Sequence, residues 1–266
     1  MSEVTVQENV VAGKAGGRDL NVDVFRPAGS SDPGIGVLFL PGGSWFTANR
    51  ASIKDRFGIP LAELGYVCVA GEYRVTVEAP WPAQIQDVKA IIRWMRANSS
   101  ELNIDPSAIV VAGKSAGGHL ALLAAGTMGV AEFEGDGGNA GVSSDVAATV
   151  GVAAVSDISQ VIGRGDLAPL LGDDPSPELI RSASPVGNVG KDYPPALLLH
   201  GTSDDRVDHS MTMGMYRALE DAEVPVDLQL FAGQDHSFDA DPQFSRAIVY
   251  AMDLFISRHV LAKSTI

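Results

Sequence analysis

Three separated groups in this chain have the chemistry of a proton relay: Ser115, His236 and an aspartate at 204 or 205. Ser115 sits in Gly113-Lys114-Ser115-Ala116-Gly117, which fits G-x-S-x-G, a strand–turn–helix that lifts a serine above a sheet edge. The flanking glycines have a steric reason, because a Cβ on either side of so tight a turn would collide with backbone. A serine hydroxyl is unreactive until a base takes its proton. Of the five histidines, His119 falls in a small-residue helix and is expected to be a satisfied core group. His200 ends an apolar run, its ring packing under the next loop. His209 opens a helix and His259 lies near the carboxyl end, both with structural or exposed roles. His236 follows "LQLFAGQD" and precedes the last helix, where a general base belongs, and an ordinary pKa of about 6.5 suits it to proton shuttling. In "LLLHGTSDDRV", Asp204 is the first choice and Asp205 its rival to accept the imidazole N–H and stabilise the imidazolium.

Acyl transfer also needs donors for the oxygen that becomes negative, and losing one such donor costs about 2.7–4 kcal/mol. Ala116, directly after the serine, offers an N–H at a helix start. The second strand-to-glycine turn, "FLPGGSW", offers more: Gly42 and Gly43 allow close backbone approach, and Gly43 and Ser44 are the expected donors. Both turns would then face one carbonyl from two sides. Trp45 and Gly42 are the expected substrate contacts, while Trp81 and Phe238 are as readily packing residues.

Positioning these groups requires a sheet whose strand ends meet. "GVLFL" (36–40) and "IVVAG" (109–113) are continuous apolar runs, as in parallel strands covered on both faces. "LNVDVFRP" alternates like a half-exposed strand, and "AATVGVAAV", "PALLLHG" and "VDLQLF" supply further strands. Between them "AQIQDVKAIIRWMRANS" carries Ile85, Val88, Ile91, Ile92 and Met95 on one helical face. "AGGHLALLAAGT" is apolar nearly all round, and "SMTMGMYRALEDA" and "FSRAIVYAMDLFISRHV" are amphipathic. Repeated β-α alternation predicts an α/β, mostly parallel, doubly wound sheet flanked by helices, as one domain over residues 1–266. Residues 156–192, rich in Asp, Pro and Gly, are expected to form a small lid-like insertion. "EFEGDGGNAGVSSD" lacks the full ligand register of a calcium loop and is expected to be a solvated surface loop.

The formal charge of −14 argues against nucleic acid and anionic membranes as partners and mildly disfavours strongly anionic substrates. The amino terminus lacks the basic and apolar segments of a secretory signal. The one cysteine, Cys68, cannot form an internal disulfide and is expected to be a small buried hydrophobe. Together these predict a cytoplasmic protein.

Beyond the short motif, "LPGGSW", "EYRVTVEAPWPAQIQDVKAIIRWMRAN", "NIDPSAIVVAGKSAGGHLA", "SPVGNV", "PPALLLHGTSDDRV" and "AGQDHSF" resemble blocks of the α/β-hydrolase superfamily. The resemblance is to its esterase branch, which holds hormone-sensitive-lipase-like esterases, bacterial feruloyl and acetyl esterases and kynurenine formamidases. It covers nearly the whole chain. It implies Ser115, Asp204 and His236 as a triad, Asp204 being the fifth position of an HGxxD pattern. It also implies Gly43, Ser44 and Ala116 as the oxyanion hole, with no metal or cofactor.

Two departures bear on substrate class. Pro41 stands where the family usually has the histidine of His-Gly-Gly, so the loop must be held differently. Lys114 fills a slot that is often acidic or small and polar, and is expected to be solvated rather than in contact with a substrate carboxylate. The leading expectation is a carboxylesterase acting on small to moderate esters. Alternatives are an arylformamidase, a lactone-opening or other specialised-pathway hydrolase and, last, a non-catalytic receptor on the same scaffold. The final helix is expected to cover the sheet, though its amphipathic face could also pair in a homodimer.

Overall fold

The computed structural model describes residues 3–29, 34–163 and 170–261. Eight strands form one sheet: β1 (Val4–Ala15), β2 (Arg18–Pro27), β3 (Gly34–Leu40), β4 (Val67–Gly71), β5 (Ile104–Lys114), β6 (Ala148–Val152), β7 (Ala196–Gly201) and β8 (Val226–Phe231). Their spatial order is β1-β2-β4-β3-β5-β6-β7-β8. The β1–β2 and β2–β4 pairs are antiparallel, and all pairs from β4 to β8 are parallel. The helices are α1 (Ile59–Glu63), α2 (Ala83–Ala97), α3 (Ser99–Leu102), α4 (Ala116–Gly126), α5 (Ala131–Glu134), α6 (Pro177–Ala183), α7 (Ser210–Asp221) and α8 (Pro242–His259).

The continuous apolar runs of β3, β5, β6 and β7 are explained by cover on both faces. Ile85, Val88 and Ile91 of α2, Leu120 of α4 and Met215 of α7 pack one side. Leu61 of α1 and Ile248, Met252 and Phe255 of α8 pack the other. Full burial of each such side chain stabilises the fold by about 1.5–3 kcal/mol. Helix α8 thus covers the sheet, while its Tyr250 and Leu254 face outward. Cys68 is buried in β4, and burial pushes its thiol pKa up.

The edge of the sheet departs from what the sequence pattern suggests. Strand β1 was not legible: its residues are mostly exposed, and Asn9 adopts φ 58° at an irregularity in its pairing with β2. Strand β2 is more deeply buried than alternation implied, because β1 and β4 flank it and Val22 through Phe25 are all buried. The stretch 132–145 is a surface segment, as expected, with Gly135, Asp136, Gly141 and Asp145 exposed, but it is tied to its neighbours. Glu134 pairs at 2.8 Å with both Lys89 and Arg93 of α2, and the Gly137 and Gly138 carbonyls accept from Lys14 N and Arg93 Nε. Within the expected insertion, residues 164–169 lie outside the described residues. The remainder carries α6 and short 3-10 turns, fixed by Val186 N–H donating to Ser156 O and Ile158 N–H to Ser184 Oγ.

The register brings the two glycine turns together. Leu40 of β3 lies opposite Gly113 of β5, so the residues following each strand emerge side by side. Strands β7 and β8 run in the same direction at the far half of the sheet, delivering the loops after Gly201 and Phe231 to that edge.

Candidate active site

Ser115 stands at the turn between β5 and α4 with φ 53° and ψ −118°, a conformation that costs a non-glycine residue about 1–3 kcal/mol. Its N–H donates to Val152 O at 2.9 Å, and its carbonyl accepts from His119 N at 2.8 Å. Both motif glycines are needed for space. A Cβ at Gly113 would come within 2.3 Å of Gly117 O, and one at Gly117 within 2.3 Å of Leu40 O.

Ser115 Oγ lies 3.0 Å from His236 Nε2, and His236 Nδ1 lies 2.6 Å from Asp204 Oδ2. A carboxylate can only accept, so Nδ1 carries the proton and Nε2 is left to accept from the serine hydroxyl. Asp204, not the exposed Asp205, occupies this position. Its other oxygen accepts from the N–H groups of Arg206 at 2.9 Å and Val207 at 2.8 Å. Burial alone would raise the Asp204 pKa. Hydrogen bonds from His200, His236 and the Val207 N–H outweigh burial and hold the carboxyl well below the usual carboxylate range.

Sequence reasoning missed the part His200 takes. Its Nε2 donates to Asp204 Oδ2 at 3.0 Å and to Val207 O at 2.9 Å, while Nδ1 meets Thr212 Oγ1 of α7 at 2.6 Å. The second histidine therefore orients the carboxylate from behind. Its signal in the sequence was the HGxxD spacing itself, which places the two groups four residues apart across one tight turn.

The loop after β3 has an unusual backbone: Gly43, Ser44 and Trp45 have φ of 140°, 52° and 57°. A Cβ at Gly43 would lie 2.2 Å from Thr47 O. The N–H groups of Gly43, Ser44 and Ala116 donate to no acceptor among the described residues. Pro41, in place of a histidine, is held by its carbonyl, which accepts from the buried Tyr73 hydroxyl at 3.0 Å. Gly42 faces the serine: a Cβ there would stand 3.2 Å from Ser115 Cβ.

Trp45 borders a narrow space beside Ser115, yet the residue is only 1% exposed. Its indole Nε1 donates to His119 Nδ1 at 3.1 Å, and His119 Nε2 donates to Ala183 O at 2.8 Å. The ring thus locks the loop to α4 and α6. His119 is fully buried, and burial lowers its pKa to about 4.

Lys114 is neither solvated nor unpartnered. Its Nζ lies 2.9 Å from Asp239 Oδ1, with the side chain 16% exposed. Together with Arg56 and Asp239 it lines a cavity of about 360 Å³ that opens onto Ser115, Gly42–Ser44 and His236. No cluster of three or more residues suited to holding a metal occurs among the described residues.

Residues 22–219 match the BD-FAE family. The probable carboxylic ester hydrolase LipM of Mycobacterium tuberculosis is 34% identical over 235 residues, 84% of this chain and 54% of LipM. The chain spans about half the length of the curated relatives it matches. Among solved structures, a truncated carbohydrate esterase from gut microbiota superposes with a TM-score of 0.83 at 28% identity, covering 95% of this chain and 96% of that one. An esterase of the planctomycete Thermogutta terrifontis with propionate bound gives 0.79 at 26%, covering 97% and 96%. That esterase has also been solved phosphorylated by paraoxon. By sequence and by architecture, this chain belongs to the BD-FAE family, in the esterase branch of the α/β-hydrolase fold.

Proposed function

We propose that the protein hydrolyses carboxylic esters of small to moderate size through an acyl-enzyme on Ser115. As Ser115 Oγ attacks the carbonyl carbon, its proton passes to His236 Nε2. The N–H groups of Gly43, Ser44 and Ala116 receive the negative oxygen. The tetrahedral centre collapses, the C–O bond to the alcohol breaks, and His236 returns the proton to the leaving oxygen. Water, deprotonated by the same imidazole, then releases the acid and restores the serine. Asp204 stays ionised throughout, stabilising the imidazolium that forms twice per cycle.

The observation that carries this reading is the unbroken hydrogen-bonded line from Ser115 Oγ through His236 to Asp204, at 3.0 and 2.6 Å. The N–H groups of Gly43, Ser44 and Ala116, which have no acceptor among the described residues, and the esterase relatives support it further. A chain whose one cysteine is buried and unpaired suits a reducing compartment, in keeping with a cytoplasmic site of action.

The test is turnover of 4-nitrophenyl acetate and butyrate by wild type and by Ser115→Ala. Wild type is expected to hydrolyse at least one, and the variant to lose about 10⁴-fold or more in kcat. Equal rates in the two proteins would remove Ser115 from the chemistry. Phenyl acetate should also be preferred to N-formylkynurenine, and the reverse order would move the assignment to formamide hydrolysis.

A further inference from the structure

The geometry points to an anion subsite in the cavity at Ser115: the ester best handled here carries an ionised carboxylate on its acyl or its alcohol part. This rests on the esterase reading above and narrows its substrate class.

Asp239 is 1% exposed and is shared by two cations. Lys114 Nζ lies 2.9 Å from Oδ1, and Arg56 Nη1 lies 2.9 Å from Oδ2. One carboxylate cannot neutralise two cations, so the trio keeps a positive charge. It also keeps donors. An ammonium has three N–H groups and a guanidinium five, and one contact to Asp239 is made by each. Arg206 adds a third cationic side chain to the same lining.

The position of this charge is what ties it to substrate. Lys114 is the residue before the nucleophile, and its cavity is continuous with Ser115 and the Gly42–Ser44 loop. The Lys114 and Arg56 side chains are 16% and 39% exposed, reachable but partly shielded from water. In such a site an ionic hydrogen bond is worth more than at an open surface. Phe39 and Phe57, stacked at 4.1 Å, and Ile53 form an apolar wall beside the cations. An apolar linker ending in a carboxylate matches both halves of the cavity.

The chain's charge of −14 does not oppose this. At physiological ionic strength the distant surface carboxylates are screened within about 8 Å, whereas the cations of the cavity act at contact. The bland role for the trio is a staple that holds the loop after His236 against the serine turn. A staple would affect all esters alike. A subsite must discriminate between charged and uncharged esters of the same shape.

Discrimination is measured with the full chain on two matched pairs, each rate normalised to that ester's own hydroxide hydrolysis. On the acyl side, 4-nitrophenyl hydrogen glutarate is compared with its methyl ester. On the alcohol side, 4-acetoxybenzoate is compared with methyl 4-acetoxybenzoate. Wild type is expected to favour the charged member in at least one pair by about tenfold in kcat/KM, the effect of one partly shielded ionic contact. The ratio should shrink as sodium chloride is added. It should fall towards one in Lys114→Met and in Arg56→Gln, and, as a ratio within one protein sample, it does not depend on how much of a variant is folded. Charged-to-neutral ratios at or below one in both pairs for wild type would overturn the subsite, as would an unchanged ratio in both variants. If butyrate turnover is normal in that case, only the subsite falls. If no ester at all is hydrolysed, it falls with the reading beneath it.

Discussion

A neutral imidazole and an ionised carboxylate are each fixed here by partners that leave no choice of protonation state. His119 donates from Nε2 to a carbonyl and accepts at Nδ1 from the Trp45 indole, so the neutral ring satisfies both contacts. Asp204 accepts from two imidazoles and two backbone amides. These contacts set how stability depends on pH. The folded His119 pKa, about 4, lies below that of an unfolded histidine, so its contribution is complete above about pH 6.5 and is lost as pH falls towards 4. The loss amounts to about 3 kcal/mol. Asp204, also depressed, keeps its contribution until the pH drops below the ordinary carboxylate range. Urea midpoints at pH 7.0 and 4.5 should therefore differ less for His119→Gln than for wild type. Equal acid losses in the two proteins would contradict this account of the ring. Ser115, Asp204 and His236 were legible because each follows its own apolar run. Tyr73 and Asp239 were not, since what joins them to the site is contact across elements distant in sequence: Pro41, and Arg56 with Lys114. His200 was marked only by its four-residue spacing from Asp204, which the fold turns into a hydrogen bond.

Two β-to-loop turns act as one element because β3 and β5 are neighbours in register. Gly117 is where they touch: a Cβ there would stand 2.3 Å from Leu40 O and 2.5 Å from Pro41 O, the backbone leading into Gly42 and Gly43. Backbone cannot swing aside as a flexible side chain can, so Gly117→Ala must displace the loop. The expected result is a fall in kcat/KM of about 10²–10³-fold, the loss of one oxyanion donor. Gly190→Ala, with nothing within 4 Å of its added methyl, should leave activity near wild type. Equal activity in the two alanine variants would show that the turns are not coupled. The strands that carry these turns could be read from continuous apolar runs, because they are buried on both faces. Strand β1 could not, because an exposed edge strand owes its existence to pairing with β2 rather than to its own pattern.

Taken whole, the molecule is an acidic body with a cationic cavity set at the edge of its sheet. Net charge was plain from composition, but its local reversal was not, since Arg56, Lys114 and Asp239 meet only once the chain is folded. The fold class followed from β-α alternation, and the doubly wound sheet holds the relay and the loop amides on one edge. Among the described residues no helix is long and apolar enough to cross a membrane. The central claim is that this edge makes one hydroxyl nucleophilic. It is tested most directly by titrating the protein with paraoxon while following butyrate hydrolysis, intact mass and the modified peptide. One diethylphosphoryl group per chain on Ser115, with activity falling in proportion to labelling, is the predicted result. A label on another residue, or full activity in completely labelled protein, would contradict it.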